Sequence, residues 1–91
     1  MNGDTFTVVT NTFKNALHTY LHIFMMSMQS QFPGFMLDCN YDSDQDTVHV
    51  RIYSTASMKL HHMYSMKVCT DDDLVKFRID ATDRILRIMD R

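Results

Sequence analysis

Apolar residues before the single proline recur at three- and four-residue intervals, the spacing of one face of an α-helix. Pro33 ends this pattern, because the residue before a proline disfavours helical geometry. The start of the helix is less sharply defined. Asp4 could act as its N-cap, although the β-branched residues that follow equally allow a start at Thr10, Asn11 or Thr12. The apolar face of this first helix consists of Phe6, Val9, Phe13, Ala16, Leu17, Tyr20, Leu21, Phe24 and Met28.

After the proline, apolar and polar residues alternate in three short segments, the pattern of half-buried β-strands. These segments cover residues 35–41, 48–53 and 60–68. Polar turns at residues 42–46 and 54–57 separate them. Since short turns join consecutive strands, the sequence predicts an antiparallel meander.

The final segment predicts an amphipathic helix with a clear start. Thr70 and Asp73 have nearly the spacing of a capping box, with Asp in place of the usual Glu. Its core face contains Leu74, Phe77, Ala81, Ile85, Ile88 and Met89. A second apolar strip on the same helix contains Val75, Ile79 and Leu86. A fourth strand within residues 74–79, followed by a shorter helix, is the alternative interpretation.

Together these elements predict one α+β domain over residues 1–91, in the order α-β-β-β-α. We expect a three-stranded antiparallel meander with both helices on one face and the other face open. This order resembles that of double-stranded-RNA-binding domains and of the small RNA-binding subunits of the signal recognition particle. The last helix, however, begins with Asp71, Asp72 and Asp73, which repel phosphate, where a Lys/Arg cluster would match. No residue role is therefore transferred from those families.

Charge is unevenly distributed along this chain of 91 residues and net charge −2. Lys14 is the only charged residue from Thr5 to Leu37. Depletion of charge together with abundant methionine and aromatic residues is typical of an interface core. We therefore predict that the polar side of the first helix contacts another protein. An ordinary surface of uncharged polar residues is the simpler alternative. The predicted contact residues are Asn15, His18, His22, Met25, Met26 and Gln29.

The open face of the predicted sheet provides a second interpretation, RNA or DNA binding. Sheet faces can stack bases on aromatic rings and contact phosphates with cations. The net negative charge of the chain disfavours this interpretation. Its candidate residues are His49, Arg51, Tyr53, His61 and Lys67.

A zinc site is conceivable at His18 and His22, because residues four apart on a helix can turn both rings toward one ion. Two further ligands would be needed, and no spacing brings any close. The possible donors are Cys39, Cys69, His49, His61 and His62.

Asp42, Asp44 and Asp46 have the spacing of the first three ligands of a calcium-binding loop, but the rest of the loop does not match. Thr47 and Tyr53 occupy the positions that require glycine and a bidentate glutamate. No nucleophile, base and orienting carboxylate can be grouped from the spacing either. We therefore expect no metal, no cofactor and no enzymatic activity.

The expected role is that of a non-catalytic interaction protein, acting as a homodimer, an accessory subunit or an inhibitor in a larger complex. The N-terminus shows no signal peptide and no apolar run reaches membrane-spanning length, so we expect a cytoplasmic protein without a membrane partner. In that compartment Cys39 and Cys69 are expected to be reduced thiols.

Overall fold

Five elements follow one another in the order that the hydrophobic pattern predicts. The structure is a computed structural model that describes the backbone of residues 2–90 and the side chains of residues 12–90. The three strands form one antiparallel sheet in the order β1-β2-β3, which confirms the α-β-β-β-α fold. Residues 74–79 are helical, so the fourth-strand alternative was wrong. The elements are α1 (Asn2–Gln31), β1 (Phe35–Asp42), β2 (Thr47–Ser54), β3 (Leu60–Lys67) and α2 (Asp71–Met89).

Helix α1 buries one face against the sheet and leaves the opposite face exposed. Its buried residues are Leu17, Leu21, Phe24 and Met28, all from the predicted stripe. Ala16 is exposed, because it lies at the edge of the stripe rather than at its centre. The predicted core residues Phe6 and Val9 lie outside the residues whose side chains are described.

The sheet contributes a core of small β-branched residues from its central strand. Val48, Val50 and Ile52 are completely buried. Val50 pairs with Cys39 on β1 and with Tyr64 on β3, so all three side chains lie on the helix-facing side. This side of the sheet, together with the helices, forms the hydrophobic core.

A register shift interrupts β3 near its start. Ile52 pairs with His62, whereas the next residue, Tyr53, pairs with Leu60. His61 is therefore an extra residue in β3, and the strict alternation predicted for this strand fails there. Leu60, expected in the core, is 43% exposed.

Helix α2 begins with the predicted capping box. The Thr70 hydroxyl accepts a hydrogen bond from Asp73 N at 3.2 Å, and Asp73 Oδ2 accepts from Thr70 N at 3.2 Å. The same carboxylate accepts from Cys69 N at 2.9 Å, the main reason why the Asp73 pKa lies below its ordinary value. Phe77 packs in the core, with its ring 5.5 Å from that of Phe24.

Candidate interaction surface

The outer face of α1 carries most of the predicted contact residues. Asn15, His22, Met26 and Gln29 are exposed, and they lie opposite the buried stripe. Met26 is 63% exposed. None of these side chains is ionic, so a partner could cover them without removing a charge from water.

The flank of α1 next to β1 holds two other predicted contact residues. His18 is exposed, and its ring makes an edge-on contact with Tyr41 at 5.4 Å. Met25 is half-buried against the core, and its sulfur accepts a hydrogen bond from Cys39 N at 3.3 Å. Met25 was therefore wrongly placed on the outer face, because its side chain covers the backbone of β1.

Lys14, the only charged residue of this region, also turns toward the sheet. Its Nζ donates to Ser43 O at 2.8 Å and lies 3.7 Å from the Asp46 carboxylate. The Lys14 ammonium group therefore lies against the β1–β2 turn, and the exposed part of α1 beyond residue 14 is uncharged.

A second apolar area lies on the exposed side of α2. Val75, Ile79 and Leu86 are between 46% and 62% exposed, as their separation from the core face predicts. Met89 is 56% exposed and so belongs with this strip rather than with the core face, where it was expected. A shallow depression between Ile79 and Leu86 is bordered by Arg78, Thr82 and Asp83.

A polar cluster between β3 and α2 was missed by the sequence reasoning. Arg84 Nε lies 2.7 Å from the Asp80 carboxylate, and Nη1 lies 2.6 Å from His62 Nε2. Because a guanidinium can only donate, His62 Nε2 is the acceptor. The guanidinium also lies 3.8 Å from the centre of the Tyr64 ring. The sequence signalled only the i,i+4 pair of Asp80 and Arg84.

The hydroxyl of Tyr64 is an unsatisfied polar group within this cluster. It is buried and has no hydrogen-bond partner among the described residues. Burial also raises the pKa of this phenol, so it stays neutral. Tyr64 therefore acts as a packing surface for Arg84 and His62 rather than as a proton donor or acceptor.

The open sheet face holds four of the five predicted nucleic-acid-binding residues. Arg51 lies 4.0 Å from the Asp38 carboxylate, and His49 Nδ1 lies 2.7 Å from the Ser65 hydroxyl. Tyr53 and Lys67 are on this face by register. The cations Arg51 and Lys67 are accompanied by aspartates, since Asp38 and Asp42 lie on the same face.

His61 was wrongly assigned to the open face. Its ring contacts Phe35 at 5.5 Å, and Phe35 packs against the core. It also borders a small pocket with Arg84 and Arg87 of α2. The extra residue in β3 turns His61 to the same side as His62, and this removes one residue from the predicted binding strip.

The candidate metal ligands remain apart. Among the described residues, no three His, Cys, Asp or Glu side chains are grouped as a metal site. The Asp42 carboxylate instead accepts from Asp44 N at 3.0 Å and closes the β1–β2 turn. Cys39 and Cys69 are free thiols. Burial raises the Cys39 pKa to about 12, with a further contribution from Asp38.

The comparisons with known proteins give no relative. No protein-family model matches this sequence, and no characterised protein or solved structure is detectably similar to it. Within the described part of the chain, neither helix has an apolar stretch long enough to cross a bilayer. The candidate surfaces therefore have to be interpreted from their own chemistry.

Proposed function

We propose that this chain is a non-catalytic protein–protein interaction module that works as a homodimer or as a small subunit of a larger complex. The proposal rests on the composition of the outer side of the layer that the two helices form. Large apolar side chains are exposed there on both helices, and the exposed part of α1 after Lys14 has no charge. Single exposed apolar residues are ordinary, but several on one layer are typical of a contact surface. These residues are Ile23, Met26, Val75, Ile79, Leu86 and Met89.

The energy available from this surface is useful but modest. Complete burial of such a side chain stabilises by about 1.5–3 kcal/mol, so covering one that is half exposed contributes about 1 kcal/mol. A partner that covers both helices gains about 6 kcal/mol from the six side chains together, near the low end of the association cost of about 4–15 kcal/mol. A stable complex therefore needs polar contacts as well, and Asn15, His22 and Gln29 can supply them.

The open sheet face supports nucleic-acid binding less well. Its described ionic residues are Asp38, Asp42, Arg51 and Lys67, whose charges sum to zero. Phosphate binding requires an excess of cations that can replace counterions. The helical layer, not the sheet, is therefore the better candidate for the contact surface.

Copurification with the tagged full-length chain tests this proposal. The double variant His22→Glu/Met26→Glu places two carboxylates on the outer face of α1 and leaves its buried stripe intact. Met26 is chosen instead of Met25, since a carboxylate at Met25 would be pressed against β1. The matched control, Met63→Glu/Ser65→Glu, places two carboxylates on the exposed sheet face.

We expect the helix variant to lose its copurifying protein and the sheet variant to keep it. Far-UV circular dichroism would show that both variants are folded. If the sheet variant loses the copurifying material and the helix variant keeps it, the proposal is wrong. An absorbance ratio typical of nucleic acid in that material would then indicate the RNA- or DNA-binding alternative.

A further inference from the structure

The exposed apolar residues of α2 have the spacing of a coiled-coil seam. Positions 75, 79, 82, 86 and 89 follow one another at intervals of four, three, four and three residues, the a/d pattern of a heptad repeat. Four of them are exposed apolar residues, and Thr82 at the centre is half-buried. We call Val75, Ile79, Thr82, Leu86 and Met89 the α2 seam. A seam of this kind fits another helix with the same spacing.

Charged residues border the α2 seam on the side away from α1. Lys76, Asp83 and Asp90 each follow directly after a seam residue and are spaced seven residues apart, so they lie in one row. All three are exposed. One row that carries both signs can pair with its own copy in the reverse direction.

We infer that the α2 seam binds the α2 seam of a second copy of this chain, with the two helices antiparallel and the two-fold axis between Asp80 and Ala81. In this register Val75 faces Leu86 of the second copy, and Ile79 faces its Thr82. Lys76 then lies beside Asp83 of the second copy, and the symmetry forms this ion pair twice.

One neighbouring register is disfavoured by the same row of charges. Shifting one helix by a heptad so that Lys76 lies opposite Lys76 of the other copy brings like charges together and buries fewer seam residues. The opposite shift places Asp83 opposite Asp83, but it brings Lys76 beside Asp90 and buries as many seam residues. The double charge exchange Lys76→Asp/Asp83→Lys distinguishes that register from the proposed one, because there it would place the new carboxylate at position 76 beside Asp90 and would not restore the dimer.

A parallel arrangement is disfavoured by the first turn of α2. Asp72 continues the seam spacing on the N-terminal side, three residues before Val75. In a parallel pair the two Asp72 carboxylates would face each other, with Asp71 and Asp73 of each copy alongside. The antiparallel arrangement separates these acidic turns and lets the helix dipoles oppose one another.

Sedimentation equilibrium of the full-length chain, from low micromolar to several hundred micromolar, tests the inference. We expect a reversible monomer–dimer equilibrium over this range. Ile79→Glu should abolish the dimer without unfolding, because Ile79 is 62% exposed. Met63→Glu is the matched control, at a 60% exposed residue on the opposite face, and should leave the equilibrium unchanged. A wild-type chain that stays monomeric at all concentrations overturns the inference.

Charge exchange tests the register. Lys76→Asp or Asp83→Lys alone should weaken the dimer about tenfold, since two exposed ion pairs become repulsive. The double variant Lys76→Asp/Asp83→Lys should restore it, although the Asp83–Arg87 pair within the helix is lost in the double variant as well. Failure of the double variant to recover shows that the register is wrong.

This inference rests on the proposed function, because it names a second copy of the chain as the partner of the α2 residues, yet the two can fail separately. His22→Glu/Met26→Glu tests the outer face of α1, whereas Ile79→Glu tests the α2 seam. If Met26→Glu abolishes the dimer and Ile79→Glu does not, self-association uses α1 and the inference about α2 is wrong. Loss of the copurifying protein only in the α1 variant leaves the α2 result unaffected.

Discussion

The buried hydroxyl of Tyr64 provides a test of the packing between β3 and α2. This oxygen has no hydrogen-bond partner among the described residues, whereas the Tyr64 ring contacts the Arg84 guanidinium and the His62 ring. Tyr64→Phe removes the oxygen and keeps the ring. We therefore expect this substitution to increase the free energy of unfolding.

The expected gain follows from the cost of the unpaired oxygen. A buried polar group without a partner destabilises a fold by about 1–3 kcal/mol. Since the Tyr64 side chain as a whole is only half-buried, we expect about 1 kcal/mol, the low end of that range. The Arg84 contact 3.8 Å above the ring is retained in Phe, so it does not reduce the gain. For a domain of this size, 1 kcal/mol corresponds to an increase in Tm of about 4–8 °C.

Urea denaturation followed by circular dichroism measures this change, at one fixed protein concentration because dimerisation would shift the apparent stability. Tyr41→Phe is the matched control. The Tyr41 hydroxyl donates to Asp46 Oδ1 at 3.3 Å, so its removal should destabilise by about 0.5–1.5 kcal/mol. If Tyr64→Phe destabilises the fold as much as Tyr41→Phe does, the Tyr64 hydroxyl has a partner and the reasoning is refuted.

Three further predictions concern the start of α2 and the thiols. Thr70→Ala removes the N-cap acceptor and should destabilise by about 0.5–2 kcal/mol in the same urea assay, whereas no loss would show that the capping box contributes nothing. The folded pKa of Asp73 is lowered, so its stabilisation is present above the ordinary pKa of 3.8 and is lost as the pH falls through the folded pKa. The stability difference between wild type and Asp73→Asn should therefore shrink on acidification below 3.8, and a constant difference would contradict this. An aromatic disulfide reagent at neutral pH should modify exposed Cys69 quickly and half-buried Cys39, with a pKa of about 12, only slowly; Cys69→Ser should remove the fast phase.

The sequence pattern was sufficient for the architecture because each element is supported by several independent signals. Pro33 ends α1, β-branched alternation defines β2, and Thr70 with Asp73 begins α2. The buried centres of both helices follow their periodicity, as Leu21 and Phe77 show. At these positions the local signals for helix and strand and the pattern of buried residues favour the same structure, so the sequence alone predicts it.

The details of the candidate surfaces could not be predicted because they depend on single-residue shifts. The bulge that turns His61 toward α2 inserts one residue into β3, and the run Leu60, His61, His62 contains no signal that fixes which residue is extra. Met25 lies at the border between the buried and outer faces of α1. The hydrogen bond from Cys39 N to the Met25 sulfur draws this side chain toward β1, and helical periodicity does not predict that contact.

The outer face of α1 and the α2 seam are separate surfaces, and their separation has a consequence for assembly. A two-fold dimer through α2 would present two α1 faces, so one dimer could bind two molecules of a partner that is immobilised at high density. Such bivalence raises retention by about 10²–10⁴ when both sites can engage. Ile79→Glu would remove it without changing α1. Its complex should therefore dissociate faster than wild type at high partner density and equally fast at low density, where only single contacts form. Equal dissociation at both densities would show that the two surfaces do not act together.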